Sequence, residues 1–124
     1  MRLKLLAAEL GVVQCKPDDD IPAWVWKSPF YSITRTQDEL SIFAEADAIP
    51  PEVDAGRGWR ALYVVGHIPI ELSGVLASLV MPLASRQISI FSISTYDTDY
   101  MLVPSDRLED AIDVLSRAGH EIER

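Results

Sequence analysis

"GVLASLVMPLASRQISIFSISTYDTDYMLV", residues 74–103, holds a helix and a hairpin back to back, and their order decides the fold. With Leu72 just ahead of it, the stretch repeats apolar residues at i, i+3, i+4, i+7, i+8 and i+11 (Leu72, Val75, Leu76, Leu79, Val80, Leu83), one face of an α-helix. Pro82 has no N–H to give that helix and is expected to kink or end it. From residue 88 the period changes to two. "ISIFSIST" (88–95) and "DYMLVP" (99–104) read as strands joined by a tight turn.

Working outward, "WRALYVVG" (59–66) is a short apolar run ended by Gly66 and Pro69 and reads as a strand. After Pro104, Asp106 with Glu109 fits a helix-starting capping pair, and Leu108, Ala111, Ile112, Leu115 and Ala118 form a second apolar stripe. Gly119 suits its C-terminal stop, and "HEIE" (120–123) can supply a last strand. The order strand, helix, strand, strand, helix, strand predicts an α+β two-layer sandwich of the ferredoxin-like type, βαββαβ.

The first half repeats this order in blurred form. "LAAELGVVQC" (6–15) is strand-like, "DDIPAWVWK" (19–27) suits a short helix or turn, and "PFYSITRTQDELSIFAE" (29–45) is a hairpin turning near Thr36, Gln37 and Asp38. No strong second helix follows. "AIPPEVDAGRGW" (48–59) is the best linker, so the expected organisation is 1–58 as a degenerate unit and 59–124 as a complete one.

Composition narrows the chemistry. The 124 residues suffice for one ordinary domain or two small units, and 48% apolar with 24% charged residues is a globular balance. A net charge of -8 with no basic cluster argues against nucleic acid and anionic membranes as partners. The N-terminus lacks a signal-peptide pattern and no apolar run approaches a membrane span, so a cytoplasmic protein is expected. Cys15 stands alone in an apolar setting and reads as a small buried hydrophobe. No cofactor is implied: phosphate-binding glycine fingerprints are missing, and "DDD" (18–20) reads as a solvated acidic turn rather than a cation site. His67 and His120 have no nucleophile or metal-ligand pattern around them, so no catalytic or metal residue is assigned. His67 reads as a loop residue and His120 as a solvated residue near a helix end.

What remains is the polar hairpin turn. Ser94, Thr95 and Asp99 fall at one edge of the sheet, where a carboxylate among hydroxyls can hold an ammonium or guanidinium group. Asp97 and Thr98 are expected to cap their own turn, and Asp99 suits either role.

Residues 74–103, from the Pro-Leu-Ala helix end through "ISIF" to "STYDTDYMLV", closely resemble the signature of the ACT-domain branch that includes the CASTOR-type arginine sensors. "FYSITRTQDELSIF" (30–43) is similar to the first-half motif of the same proteins. The resemblance implies a tandem pair of ACT-like subdomains that senses an amino acid rather than transforming it, with a homodimer and a regulated protein partner as its assemblies. Carried onto this chain, it implies ligand contacts from Gly66, His67, Ile68, Pro69 and Ile70, whose backbone amides would hold the ligand carboxylate, and from Ser94, Thr95 and Asp99. Bacterial relatives tend to have Gly-Pro-Leu-Asp-Phe where this chain has "GHIPI" (66–70), which puts Pro69 in place of a carboxylate. The alternative function is a ligand-free interaction or dimerisation module on the same scaffold.

Overall fold

The periodicity around residue 79 becomes an α-helix, α1 (Val75–Ser85), in the computed structural model, which describes residues 1–69 and 73–124. It lies in the larger of two units, Met1–Ala7 with Arg60–Arg124; Ala8–Trp59 form the smaller.

The larger unit holds β1 (Arg2–Leu5), the later part of β5 (Gly56–Val64), β6 (Phe91–Ser94), β7 (Asp99–Pro104), α2 (Leu108–Arg117) and β8 (Glu121–Glu123). From β5 onward the elements follow the expected βαββαβ order. Within the sheet the order is β8-β1-β5-β7-β6, so the first strand of the chain is inserted between β5 and β8. It runs antiparallel to β5, with Leu3 opposite Val64, and parallel to β8, with Leu3 opposite Ile122. Met1–Ala7 were expected in a unit spanning 1–58. Alternation instead sends fully buried Leu3 inward beside Leu62 and Val64, a non-local match invisible in a local pattern.

One face of this sheet carries both helices. Leu3, Leu62, Val64, Met101 and Val103 from the strands meet Val75, Leu79 and Leu83 of α1 and Leu108, Ala111, Val114 and Leu115 of α2. Each fully buried leucine contributes about 1.5–3 kcal/mol of transfer free energy. Of the others expected on the same face, Leu76 is exposed, Val80 is half-buried, and Leu72 lies outside the described residues.

Pro82 does not end α1, which continues to Ser85. The missing N–H frees the carbonyl of Ser78 four residues back, and His120 Nε2 donates to that carbonyl at 3.1 Å. Nδ1 of the same ring lies 3.1 Å from the Met1 nitrogen, so His120 is bonded on both sides rather than solvated. The helix closes on Gln87 (φ 56), with Gln87 N–H donating to Ala84 O and Ile88 N–H to Leu83 O. That is a Schellman end built without glycine. Gly119 (φ 99) ends α2 by the same pair of bonds, Gly119 N–H to Ser116 O and His120 N–H to Leu115 O. At the start of α2 the expected capping pair does not form. Ser105–Arg107 wind into a 3-10 turn, Arg107 occupies the cap position, and its Nε donates to Asp110 at 3.0 Å.

The smaller unit has β2 (Leu10–Cys15), β3 (Tyr31–Arg35), β4 (Leu40–Glu45) and the opening residues of β5, in the order β3-β4-β2-β5. The strand expected over 6–15 starts only at Leu10. The hairpin turns where expected, with Thr36 Oγ1 accepting from the Asp38 and Glu39 amides at 3.1 Å. Helical turns Ala23–Lys27 and Ala46–Ala48 are 3-10 in type. The expected linker is half strand, since β5 begins at Gly56 and pairs Val12 with Gly56 and Leu10 with Trp59. Apolar packing among the described residues forms two small clusters, one of Val13, Ala44 and Ile49 and one of Val25, Leu40 and Ile42. Half-buried Cys15 adjoins both clusters, and burial first, then nearby Asp19, pushes its thiol pKa up, away from reactivity. In the acidic turn, Asp19 accepts from the Lys16 amide at 3.0 Å. Among the described residues, no helix is long and apolar enough to cross a membrane.

Candidate functional site

The polar turn between β6 and β7 is built by its threonines. Thr95 N–H donates to Thr98 O at 2.8 Å, and Thr95 Oγ1 accepts from the Thr98 amide at 3.1 Å. Thr95 is therefore the residue that caps the turn. Thr98 and Asp97, expected in that role, reach elsewhere: Thr98 Oγ1 donates to Val64 O at the end of β5 (2.7 Å), and Asp97 Oδ1 meets His67 Nδ1 at 2.9 Å. Asp97 also accepts the Ile68 amide on its backbone oxygen at 2.7 Å. Three bonds thus fasten the end of β5 and the loop after it to the hairpin. The surplus of hydrogen-bonding groups at this turn has a structural use before any ligand is considered.

Beside this junction lies an open cleft of about 300 Å³ within the larger unit, the lower end of ligand-pocket sizes. Ile68 and Pro69 come from the loop, Thr95 to Asp99 from the hairpin, and Gly74, Val75 and Leu76 from the start of α1. Register explains why Asp99 faces it. Asp99 pairs with Ser94 across the strands and shares a sheet face with buried Met101 and Val103, the face that carries α1. Ser94 Oγ donates to Asp99 Oδ1 at 2.6 Å, and a carboxylate has further acceptor capacity on its second oxygen.

The opposite wall has the opposite polarity. Gly74 takes the left-handed conformation (φ 81) at the cap of α1 and brings no side-chain cap, so the first amides of the helix lack intrahelical partners. They form the positive end of the helix dipole. Asp97 and Asp99 line the same cleft as this helix start, an arrangement that suits a ligand carrying both an ammonium and a carboxylate.

Of the residues assigned from sequence, Ile68, Pro69, Thr95 and Asp99 line the cleft, and Ser94 supports Asp99 from beside it. Gly66 and His67 do not line it; His67 instead pairs with Asp97 and stacks on Tyr96, ring centroids 6.4 Å apart. Ile70 lies outside the described residues. The Ile68 amide, expected for a ligand carboxylate, is spent on Asp97. Sequence reasoning missed Tyr96 and the helix start, Gly74, Val75 and Leu76, and gave Asp97 and Thr98 only a turn-capping role. A glycine just ahead of an apolar helix was the available signal for Gly74, Val75 and Leu76.

A family model described as the ACT domain matches residues 54–117, and a second, describing an N-terminal domain, matches 8–52. The rat protein named cytosolic arginine sensor for mTORC1 subunit 1 is 29% identical over 97 residues, covering 72% of this chain and 29% of its own length. This chain therefore spans under a third of that relative. The human protein CASTOR3P is 31% identical over 117 residues, 81% of this chain and 72% of its own. A crystal structure of an Agobacterium tumefaciens protein superposes with a TM-score of 0.90 at 39% identity, covering 98% of this chain and 90% of that one. The regulatory subunit of aspartate kinase from Thermus thermophilus gives 0.60 at 16% identity, covering 90% and 92%, and shares the fold.

Proposed function

The chain belongs to the ACT-domain family, and from that premise we propose that it is a non-enzymatic regulatory protein whose cleft binds a free amino acid. The observation that carries this reading is the pairing of walls: Asp97 and Asp99 on the hairpin, and across the cleft the start of α1, which has no side-chain cap among the described residues. Asp99 anchors the cationic group by charge-assisted hydrogen bonds, with Ser94 orienting its carboxylate. The first turn of α1 receives the ligand carboxylate, as helix N-termini receive anions. Pro69 adds apolar wall and no carboxylate, so the hairpin supplies the anionic side. The smaller unit is a reduced ACT-like unit in this reading, supported by its strand order β3-β4-β2-β5, which matches that of the larger unit once β1 is set aside. The setting is the cytosol, and the output passes through contacts with a regulated protein or between copies, because a ligand acts by favouring the state it binds better.

A thermal-shift screen against the proteinogenic amino acids tests the reading, with arginine first because the rat relative is named for it. A ligand at a hundredfold excess over its dissociation constant stabilises the folded state by about 2.7 kcal/mol. One or two amino acids should raise the melting temperature in wild type and lose the effect in Asp99→Ala. No shift with any of them, in protein shown to be folded, sinks the proposal.

A further inference from the structure

His67 stands behind the cleft rather than in it. Its ring is not part of the lining, yet its Nδ1 lies 2.9 Å from Oδ1 of Asp97, which is. Both side chains are more than half exposed, and exposed ion pairs are ordinarily weak because two mobile groups must be held together. Here the backbone already holds them. Each partner has a chain neighbour fastened across the junction: the Ile68 amide donates to Asp97 O, and Thr98 Oγ1 donates to Val64 O, both at 2.7 Å. The ring also stacks on Tyr96, with centroids 6.4 Å apart.

Few other ionisable groups share this corner. Among the described residues the hairpin brings Tyr96, Asp97 and, two positions on, Asp99. The helix α1 brings none, since no residue from Val75 to Ser85 is ionisable. From β1, Arg2 accepts the Val65 amide on its backbone oxygen but sends its guanidinium to Glu123 on β8, 3.7 Å away. No lysine or arginine is among the lining residues, so Asp97 and Asp99 set the charge of the described cleft. A positive ring at position 67 would offset half of it.

We propose, on the reading of the cleft as an amino-acid site, that His67 makes its affinity for a cationic ligand depend on pH. As a neutral ring His67 donates from Nδ1 to Asp97, holds that carboxylate in place and leaves its charge to the cleft. Protonated, the ring makes a charge-assisted bond to the same oxygen and sets a positive charge behind it. A cationic group in the cleft then meets one net negative charge in place of two. Histidine suits the task because its charge ordinarily changes between about pH 5 and about pH 8. The coupling is reciprocal: a bound cation disfavours the imidazolium and expels its proton.

Isothermal titration of L-arginine, the first amino acid of the screen, into the full chain at about pH 8 and about pH 6 tests the coupling. The dissociation constant should rise about twofold to fivefold at the lower value, the range of an exposed ion pair. Titrations near neutrality in phosphate and in Tris, whose heats of ionisation differ, should show proton release on binding. His67→Asn keeps a donor beside Asp97 but does not titrate, and should abolish both the pH dependence and the release. Asp97→Asn should abolish them too and also weaken binding at the higher pH. A ring that only props the loop would alter affinity and leave the proton count as it is. Circular dichroism melts confirm that each variant is folded, and either variant suffices if the other is not. A wild-type dissociation constant independent of pH, or a proton release that survives both substitutions, overturns the proposal and leaves the amino-acid reading standing. A lack of arginine binding at both pH values overturns it as well, and the remaining amino acids of the screen then decide that reading separately.

Discussion

The two units wind their strands alike, but only the larger lays α-helices on its sheet. The smaller has a five-residue 3-10 helix at Ala23–Lys27 and a three-residue one at Ala46–Ala48 in the corresponding places. The cause is local. Between β2 and β3, Pro17, Pro22 and Pro29 leave no proline-free run long enough for two helical turns with an apolar stripe, and after β4 the pair Pro50-Pro51 stops winding. The matching segments of the larger unit run apolar at helical spacing from Val75 to Leu83 and from Leu108 to Leu115. Strand order survives the loss of helices because it is written in the strands. Core size does not survive: among the described residues the larger unit has a cluster of thirteen buried residues, and the clusters of the smaller unit have three each.

The sharpest way to break this comparison is to remove core volume from each side. Leu79→Ala, at a fully buried position beneath α1, should cost about 2–5 kcal/mol in urea unfolding. Ile49→Ala, in a cluster of three buried residues, should cost less because its site can relax more easily. Equal costs would mean that the smaller unit is no weaker a core. A finer cut uses Gly11, where an added Cβ would sit 2.8 Å from Ile49 Cδ1. Gly11→Ala should cost about 1–3 kcal/mol, towards the low end because only a terminal methyl must move. Most of that cost should vanish in an Ile49→Val background, and its persistence would place the strain in the backbone.

His120→Ala should cost about 1 kcal/mol by orphaning the Ser78 carbonyl. In a Pro82→Ala background the restored N–H serves that carbonyl, so the same substitution should cost less. Additive costs would show that the histidine acts elsewhere. The smallest effect concerns pH. Hydrogen bonds from Arg86, then Arg117, hold the Asp113 carboxyl below its ordinary value of 3.8. A depressed carboxyl contributes stability that is complete above its unfolded pKa and lost as pH falls through the folded one. Melting temperatures of wild type and Asp113→Asn should therefore converge as pH drops from about 5 to about 2. The pair is exposed, so salt should shrink the difference; a gap that is independent of pH would remove the ion pair from the account.

Much of the fold was legible because its signals are short-range. Period-two alternation placed β7 at 99–104, and helical spacing found α1 and α2. Candidate-site residues fared unevenly for a physical reason. Thr95 and Asp99 lie in the hairpin whose register follows from alternation, so their place at the sheet edge could be read. Asp97 and Thr98 look like turn formers in any sequence window, and their partners, His67 and Val64, are 30 and 34 positions away.

By itself the sequence determined the βαββαβ order from residue 59 onward and the unequal helix content of the halves, because propensity and periodicity are properties of neighbouring residues. Only the tertiary structure decided that β1 enters between β5 and β8, that His120 lets α1 run past Pro82, and that the start of α1 faces Asp99. Each of these joins residues far apart in the chain. Such pairings are chosen by which buried donors, acceptors and apolar faces can be satisfied together, a condition that exists only once the chain has folded.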